Sequence, residues 1–197
     1  MGGRGGGAHQ LEAVTSARGS DGPLAWNVAG LLADVAGAER VYPVEGVRID
    51  LDDLSLAGPI DGRVRLQRTN RGILAHAQLR TALALECSRC LRDVREPVTV
   101  DITEEFLPSL DLATGQALAT DDEPDVLRLT DHHELDLETP VREAIQLAEP
   151  IAPLCRADCP GLCIVCGGRL DEGMHDHGED DIDPRLEALR GFRADDA

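Results

Sequence analysis

Lysine is absent from the 197-residue sequence, and aromatic residues make up only 2% of it. With so few rings, we expect a core of Leu, Val, Ile and Ala, and no stacking platform for the bases of single-stranded RNA. All 19 basic residues are arginine. This bias is typical of genomic base composition and does not by itself indicate a function.

Long apolar runs are also missing. No stretch approaches the roughly 20 apolar residues that span a bilayer, and the opening segment MGGRGGGAHQ lacks the apolar centre of a signal peptide. We therefore expect a soluble, cytoplasmic protein with no membrane partner. Disulfides do not persist in that reducing compartment, so the six cysteines indicate metal binding or redox chemistry.

Motifs for catalysis are scarce. The sequence has no Gly-rich phosphate loop, nucleophile elbow or His-Glu-x-x-His pattern. His132 and His133, beside Asp131 and Glu134, are more typical of a polar turn than of a catalytic set. The sequence therefore predicts a protein that is not an enzyme.

The charge is strongly acidic, with a formal net value of −18. Such a surface repels nucleic-acid backbones over most of its area and favours basic partners, so we expect no DNA binding. One segment differs, because Asp61 to Arg95 holds eight arginines against three acidic residues.

This positive segment is a candidate RNA-binding region, because arginine guanidinium groups bind phosphate oxygens bidentately. Contact with structured RNA would be local and shape-based. The alternative is that these arginines form ion pairs with the protein's own carboxylates. The candidate RNA-binding residues are Arg63, Arg65, Arg68, Arg71, Arg89, Arg92 and Arg95.

Three regions follow one another along the chain. Residues 1–20 are Gly-rich and predict a disordered arm, residues 21–150 predict an α+β core domain, and residues 151–197 predict a cysteine-rich segment followed by a helix. The predicted fold class is α+β, with an antiparallel meander sheet, flanking helices and a zinc-binding C-terminal segment.

Periodicity and turn signals give the elements of this fold. One helical face would carry Leu24, Val28, Leu31, Leu32 and Val35. Alternating strands are predicted over residues 41–106, an acidic loop over 108–125 and short strands at VLRLT and HELDL. A second helix is predicted over 140–149 with Thr139 as its N-cap, and a last one from Asp183, with Leu186 facing inward.

The cysteines fall into three pairs. Cys87 and Cys90, like Cys163 and Cys166, have the two-residue spacing that lets one turn direct two thiolates at a tetrahedral zinc ion. Cys155 and Cys159 are four residues apart, and His175 and His177 could add two imidazoles. Eight candidates would supply two tetrahedral sites, although one site with spare thiols also fits. The preferred ligands are Cys155, Cys159, Cys163 and Cys166, with Cys87, Cys90, His175 and His177 in a second tier.

Other interpretations of these residues stay open. The cysteine cluster could be reduced and metal-free, could hold an iron–sulfur cluster or act in redox chemistry, or could form disulfides. The segment CSRC could be a hairpin turn that happens to contain two cysteines. A thioredoxin-like role fits less well, because the residues that follow have the pattern of a strand and not of a helix. The two histidines could lie in a solvated acidic loop.

Several separated motifs resemble the YceD family of large ribosomal RNA subunit accumulation proteins, over about residues 23 to 193. The matching stretches, in order, are WNVAGLLADVAGAERVYPVE, CSRCLRDVREPVTVDITEEF, LETPVREAIQLAEPIAPLCRADCPGLCIVCGGRLDEG and IDPRLEALRGF. Members often carry Cys or His where His175 and His177 stand here, which favours these two as ligands.

The resemblance implies a non-catalytic accessory factor for large ribosomal subunit production, which promotes accumulation or processing of large-subunit rRNA. Its expected partners are that rRNA, a pre-ribosomal particle or a basic ribosomal protein, and its expected cofactor is structural Zn²⁺. The alternatives are a thiol- or zinc-dependent enzyme, or a redox or zinc sensor, in RNA metabolism.

Overall fold

A computed structural model describes residues 22–111, 114–118, 126–177 and 185–186. These residues form antiparallel sheets with two helices, which confirms the predicted α+β class. The strands are β1 (Ala25–Asn27), β2 (Glu39–Val47), β3 (Ser55–Leu56), β4 (Ile60–Arg68), β5 (Ile73–Glu86), β6 (Asp93–Phe106) and β7 (Glu134–Asp136), and the helices are α1 (Ala29–Ala33) and α2 (Glu138–Leu147).

The main sheet is a meander in which β2, β4, β5 and β6 pair in chain order. β5 and β6 pair along their full length, from Ile73 opposite Phe106 to Glu86 opposite Asp93. β4 covers only the first part of β5, and the two-residue strand β3 pairs beside the rest. The β5–β6 hairpin therefore extends beyond β4 and presents its connecting turn, residues 87–92, at the end of the sheet.

One face of this sheet is buried and the other is open. Along β5 the side chains of Ile73, Ala75, Ala77 and Leu79 are buried, while the residues between them are at least partly exposed. This alternation is expected of an antiparallel sheet with one solvated face. Helix α2 packs against β6 and buries Val141 and Ile145, among others, in a core built mainly from aliphatic side chains.

The predicted N-terminal helix is wrong in extent. Residues 25–27 form β1, which pairs with β7, and α1 has only five residues. Ala25 and Trp26 are both buried in the strand, and the side chain of Asn27 accepts a hydrogen bond from the N–H of Ala29 at the helix start. The extended backbone of Asp34 ends the helix, so Val35, predicted to face the core, is 81% exposed.

Three other elements differ from their predictions. Helix α2 begins at Glu138, whose N–H donates to the side chain of Asp136, so Thr139 is not the N-cap. The segment VLRLT makes only a single parallel bridge, between Arg128 and Leu107, and is not a strand. Leu186 is half-exposed, not inward-facing.

Two further predictions fall largely on residues that the structure does not describe. The Gly-rich arm lies outside the described residues, and so does the last helix apart from residues 185–186. Among the helices of the described residues, none combines the length and apolar character that crossing a membrane requires.

Candidate metal centre

All six cysteines and two histidines gather into two groups of four at the end of the β5–β6 hairpin. The four-thiol group contains Cys87, Cys90, Cys155 and Cys159, and the Cys–His group contains Cys163, Cys166, His175 and His177. Within each group the candidate ligand atoms all lie within 4.8 Å of one another. Each group is therefore compact enough to hold one metal ion.

The four-thiol group has the dimensions of a tetrahedral metal site. The Sγ atoms of Cys87 and Cys159 are 3.8 Å apart, and those of Cys90 and Cys155 are 3.6 Å apart. Zinc–sulfur distances of about 2.3 Å place tetrahedral sulfurs about 3.8 Å apart. All four thiols are free, and these separations are too long for disulfide bonds.

The hairpin turn fixes the first two thiols of this group. The N–H of Leu91 donates to the carbonyl of Cys87, and the N–H of Cys87 donates to the carbonyl of Arg92. Leu91 takes a left-handed conformation, with φ +54°. This backbone places Cys87 and Cys90 side by side, with exposures of 0% and 1%.

The segment after α2 supplies the other two thiols because it is hydrogen-bonded to the same turn. The N–H of Ser88 donates to the carbonyl of Pro153 at 2.8 Å, and Arg89 Nη1 donates to the carbonyl of Cys159 at 3.0 Å. Leu154 and Leu162 pack against the buried sulfurs and separate them from solvent. Residues 72 positions apart in sequence are thereby brought into contact.

Thiol acidity within the four-thiol group is uneven. A backbone hydrogen bond from Cys155, helped by others from Arg89 and Cys90, lowers the pKa of Cys87 to about 6 despite the opposing effect of burial. Burial raises the pKa of Cys155 to about 12 and also raises the pKa of Cys159. A metal ion bound here would therefore displace protons from the buried thiols as it bound.

The Cys–His group contains a histidine already oriented as a ligand. His175 Nε2 lies 2.8 Å from the carbonyl oxygen of Arg169, and a carbonyl can only accept, so Nε2 carries the proton. In a neutral imidazole Nδ1 then carries the lone pair, and it faces Cys166 Sγ at 3.4 Å. Metal-binding histidines are oriented in this way, by donating their other ring N–H to a backbone carbonyl or carboxylate.

The second turn repeats the backbone of the first. The N–H of Gly167 donates to the carbonyl of Cys163, and the N–H of Cys163 donates to the carbonyl of Gly168. Gly167 has φ +71° at the position that corresponds to Leu91. Backbone hydrogen bonds from Cys166 and from residue 165 lower the pKa of Cys163 to about 7.

Ion pairs hold the two groups next to each other. Arg92 lies 2.9 Å from Glu172 and 3.3 Å from Asp171, while Arg169 and Arg156 pair with the same two acids. Hydrogen bonds to Glu172 and Asp171 raise the pKa of Arg92. Hydrogen bonds from Arg92 and Arg169 lower the pKa of Glu172. Burial acts to raise the pKa of Asp171, but the hydrogen bond and charge of Arg92 lower it overall.

The structure does not bring the four preferred ligands together. Cys155 and Cys159 meet Cys87 and Cys90, whereas Cys163 and Cys166 meet the two histidines. Closeness in sequence favoured a different grouping from the one found in space, because the hairpin turn lies closer to Cys155 and Cys159 than sequence distance suggests. The useful signal was the Cys-x-x-Cys spacing itself: each such turn supplies half a site and needs a separate second pair.

The predicted RNA-binding arginines are spread over several parts of the fold. Arg68 donates to three backbone carbonyls, and Arg89 and Arg92 bind the cysteine-rich segment, as described above. Arg71 lies in the exposed turn between β4 and β5, and Arg95 lies on β6 close to Gly58.

Arg63 and Arg65 are exposed on the open face of the sheet. Arg63 donates two hydrogen bonds to Gln78, and Arg65 lies 3.8 Å from Glu39. Arg80, part of the positive segment but absent from the candidate set, is exposed on β5 opposite Thr99. Strand register could have identified it, since odd-numbered β4 residues and even-numbered β5 residues share the open face.

Comparison with known proteins agrees with the family resemblance. The family described as Large ribosomal RNA subunit accumulation protein YceD matches residues 75–193. An uncharacterized protein of Mycobacterium tuberculosis is 37% identical over 154 residues, which cover 78% of this chain and 66% of that protein. The chain thus spans 66% of the length of this relative.

Two further relatives extend the comparison. An uncharacterized protein of Mycobacterium leprae is 30% identical over 165 residues, covering 83% of this chain and 73% of its own length. A protein of Arabidopsis thaliana, named Large ribosomal RNA subunit accumulation protein YCED homolog 1, chloroplastic, is 24% identical over 75% of this chain and 53% of its own length. No solved structure matches the chain. On the family match and the mycobacterial similarity, the chain belongs to the YceD family.

Proposed function

We propose that this protein is a non-catalytic, cytoplasmic accessory factor for large ribosomal subunit production, which promotes accumulation or processing of large-subunit rRNA. Membership of a family named for rRNA accumulation is the observation that carries the proposal. The name of the Arabidopsis relative supports the same role. Both names describe an accumulation factor and not an enzyme.

The four-thiol group supports a scaffolding role. We propose that it binds Zn²⁺, because four thiolates in a tetrahedral arrangement are typical of structural zinc sites. Sulfur would fill all four positions and leave none for a catalytic water. The metal would fasten the cysteine-rich segment, residues 151–197 in our proposed division of the chain, to the core domain of residues 21–150.

Thiol catalysis is less well supported. The pKa of Cys87 is lowered to about 6, which would favour a nucleophilic thiolate. Its side chain, however, has 0% exposure and is surrounded by Cys90, Cys159 and apolar residues. A substrate could not reach this sulfur without opening the group.

For RNA contact, we propose the open face of the sheet. Arg63, Arg65 and Arg80 project from neighbouring strands there, with Gln78 and His76 between them as further hydrogen-bonding groups. Their guanidinium groups suit phosphate oxygens. Glu39, Asp61 and Asp101 lie among these arginines, so the contact would be local and made by the guanidinium groups themselves.

The proposal can be tested by RNA–protein crosslinking in cells, with a matched pair of variants. Arg65→Gln/Arg80→Gln removes two charges from the open face. The control Arg40→Gln/Arg142→Gln removes two charges from the helix side, where these arginines bind Asp34 and Glu138. We expect crosslinks to large-subunit rRNA that fall severalfold in the first variant and are unchanged in the control.

Sedimentation separates the remaining outcomes. If the protein co-sediments with large-subunit precursors but crosslinks to no RNA, the open face does not bind RNA and a basic ribosomal protein becomes the partner. The net charge of −18 already favours such a partner. If the protein neither co-sediments with precursors nor crosslinks to rRNA, the proposed function is wrong.

A further inference from the structure

We propose that the Cys–His group binds a second zinc ion, which exchanges with the medium much faster than the ion of the four-thiol group. The protein would then carry two metal sites with different tasks, one that keeps its ion for long periods and one that responds to zinc supply. This inference concerns the metal chemistry of the chain and does not depend on its ribosomal role.

The ligand atoms of this group are already placed for coordination. Its two sulfurs and two imidazoles lie within 4.8 Å of one another, and two thiolates with two neutral imidazoles are a common tetrahedral zinc set. The hydrogen bond from His175 Nε2 to Arg169 leaves Nδ1 free toward Cys166. This tautomer and orientation are the ones that a zinc ligand requires.

A glycine makes room for that imidazole. A Cβ atom added to Gly168 would lie 3.0 Å from His175 Cε1 and 3.4 Å from Cys166 Sγ. The contact with the ring is tighter than ordinary van der Waals contact, so a side chain at this position would shift the His175 imidazole by a few tenths of an ångström. The close approach of ring and sulfur therefore depends on the backbone of the second turn.

Exposure distinguishes the two groups. Three of the four sulfurs in the four-thiol group have exposures of 2% or less, whereas Cys166 and His177 are exposed and His175 is partly so. A chelator or an incoming protein ligand can therefore reach the second site directly. At the first site the surrounding packing must open before the metal is reached.

The positions of the ligands along the chain also indicate that metal leaves the Cys–His group more easily. The four-thiol group joins the hairpin turn to a distant segment, so releasing its metal means separating two packed parts of the fold. All four residues of the Cys–His group lie within residues 163–177. Their metal can leave after a local rearrangement, without disturbing the hairpin.

Occupancy of the second site would also control an apolar surface. Ile164 and Val165 occupy the two positions between Cys163 and Cys166, and they are 93% and 57% exposed. A metal ion would hold this turn in one conformation. Loss of the ion would release the turn and residues 173–177, while residues 169–172 keep their contacts with the hairpin turn and the four-thiol group stays closed.

The experiment measures zinc content and the rate of zinc transfer to a colorimetric chelator, in the full-length protein and in variants. His175→Ala/His177→Ala removes two ligands of the Cys–His group only, and His132→Ala is the control for an exposed histidine elsewhere. We expect two zinc ions per chain in the wild type, one for each group of four ligands, released in a fast and a slow phase. The double variant should retain only the slow phase, and the control should match the wild type.

Cobalt substitution tests the assignment without relying on variants that could fail to fold. A site with four sulfurs and a site with two sulfurs and two nitrogens give Co²⁺ different charge-transfer and ligand-field spectra. The proposal predicts both signatures in the wild type and loss of only the mixed one in the double variant. A single zinc ion in the wild type that survives the double variant, or two ions released at one rate, would overturn it.

Discussion

The two Cys-x-x-Cys turns of this protein have the same backbone conformation but different surroundings. In each, the first cysteine accepts a hydrogen bond from the residue four positions later, which is Leu91 in one turn and Gly167 in the other. That residue is left-handed in both turns. The spacing therefore determines how two thiols are presented, whatever sequence fills the turn.

The surroundings of each turn determine how deeply its two cysteines are buried and which residues complete the group of four. In the first turn, Ser88 and Arg89 are hydrogen-bonded to the segment that delivers the next two thiols, so the site is enclosed. In the second, Ile164 and Val165 point into solvent, and two histidines complete a site at the surface. The same local unit is thus buried in one place and exposed at the surface in the other.

The largest predicted effect comes from removing one thiol of the four-thiol group, compared with removing one thiol of the Cys–His group. Cys87→Ser should abolish metal binding by the four-thiol group and detach residues 151–162 from the hairpin, because those residues have few other buried contacts. We expect the Tm to fall by about 10 °C or more. Cys166→Ser should leave those residues protected from hydrogen exchange and change the Tm much less.

Calorimetry and hydrogen exchange followed by mass spectrometry would check this contrast. Equal losses of Tm in the two variants would mean that the two sites are not structurally distinct. Protection of residues 151–162 that survives Cys87→Ser would show that packing alone, without metal, attaches this segment.

A smaller effect should come from the ion pairs that join the two groups. Arg92→Met removes the guanidinium that contacts both Asp171 and Glu172. These partners are partly exposed, so the contribution is screened by solvent. We expect the Tm to fall by about 2–4 °C at low salt.

Salt provides the check on this interpretation, because screening weakens exposed ion pairs. The difference between wild type and Arg92→Met should shrink in high salt. Arg63→Met serves as the control, since Arg63 contacts only the neutral side chain of Gln78 in the described residues and should show no salt-dependent difference. A difference for Arg92→Met that is independent of salt would assign its effect to packing.

Sequence reasoning succeeded where local pattern determines structure. Alternation of apolar residues identified the strands of the meander, since a sheet with one solvated face imposes that period. Helical periodicity also marked Leu31 and Leu32 as core residues, even though they belong to a much shorter helix than predicted. Here strand pairing with β7 overrode helical periodicity, and no local signal in residues 25–27 reveals a partner more than a hundred positions away.

The sequence alone could not show how the candidate ligands divide into two groups, for a similar reason. All eight residues were identified as candidates, because Cys and His at short spacings are informative by themselves. Which pairs meet depends on the length of β5 and β6, which carries the first turn beyond β4 to the segment that follows α2. That distance is a property of the folded sheet and is not encoded near any cysteine.

The smallest predicted effects come from exchanging the left-handed residues of the two turns. A left-handed conformation costs a non-glycine residue roughly 1–2 kcal/mol, and Leu91 adopts it while 56% exposed. Leu91→Gly should remove this strain, partly offset by the greater freedom of glycine in the unfolded chain, for a net stabilisation of about 0.5 kcal/mol. Gly167→Ala, which introduces the same strain where no neighbouring atom would clash, should destabilise the second turn by about 1 kcal/mol. Chemical denaturation would measure the change in Leu91→Gly, and the zinc affinity of the Cys–His group would measure the change in Gly167→Ala. A loss of stability in Leu91→Gly would show that the contacts of the Leu91 side chain stabilise the fold by more than its left-handed conformation costs.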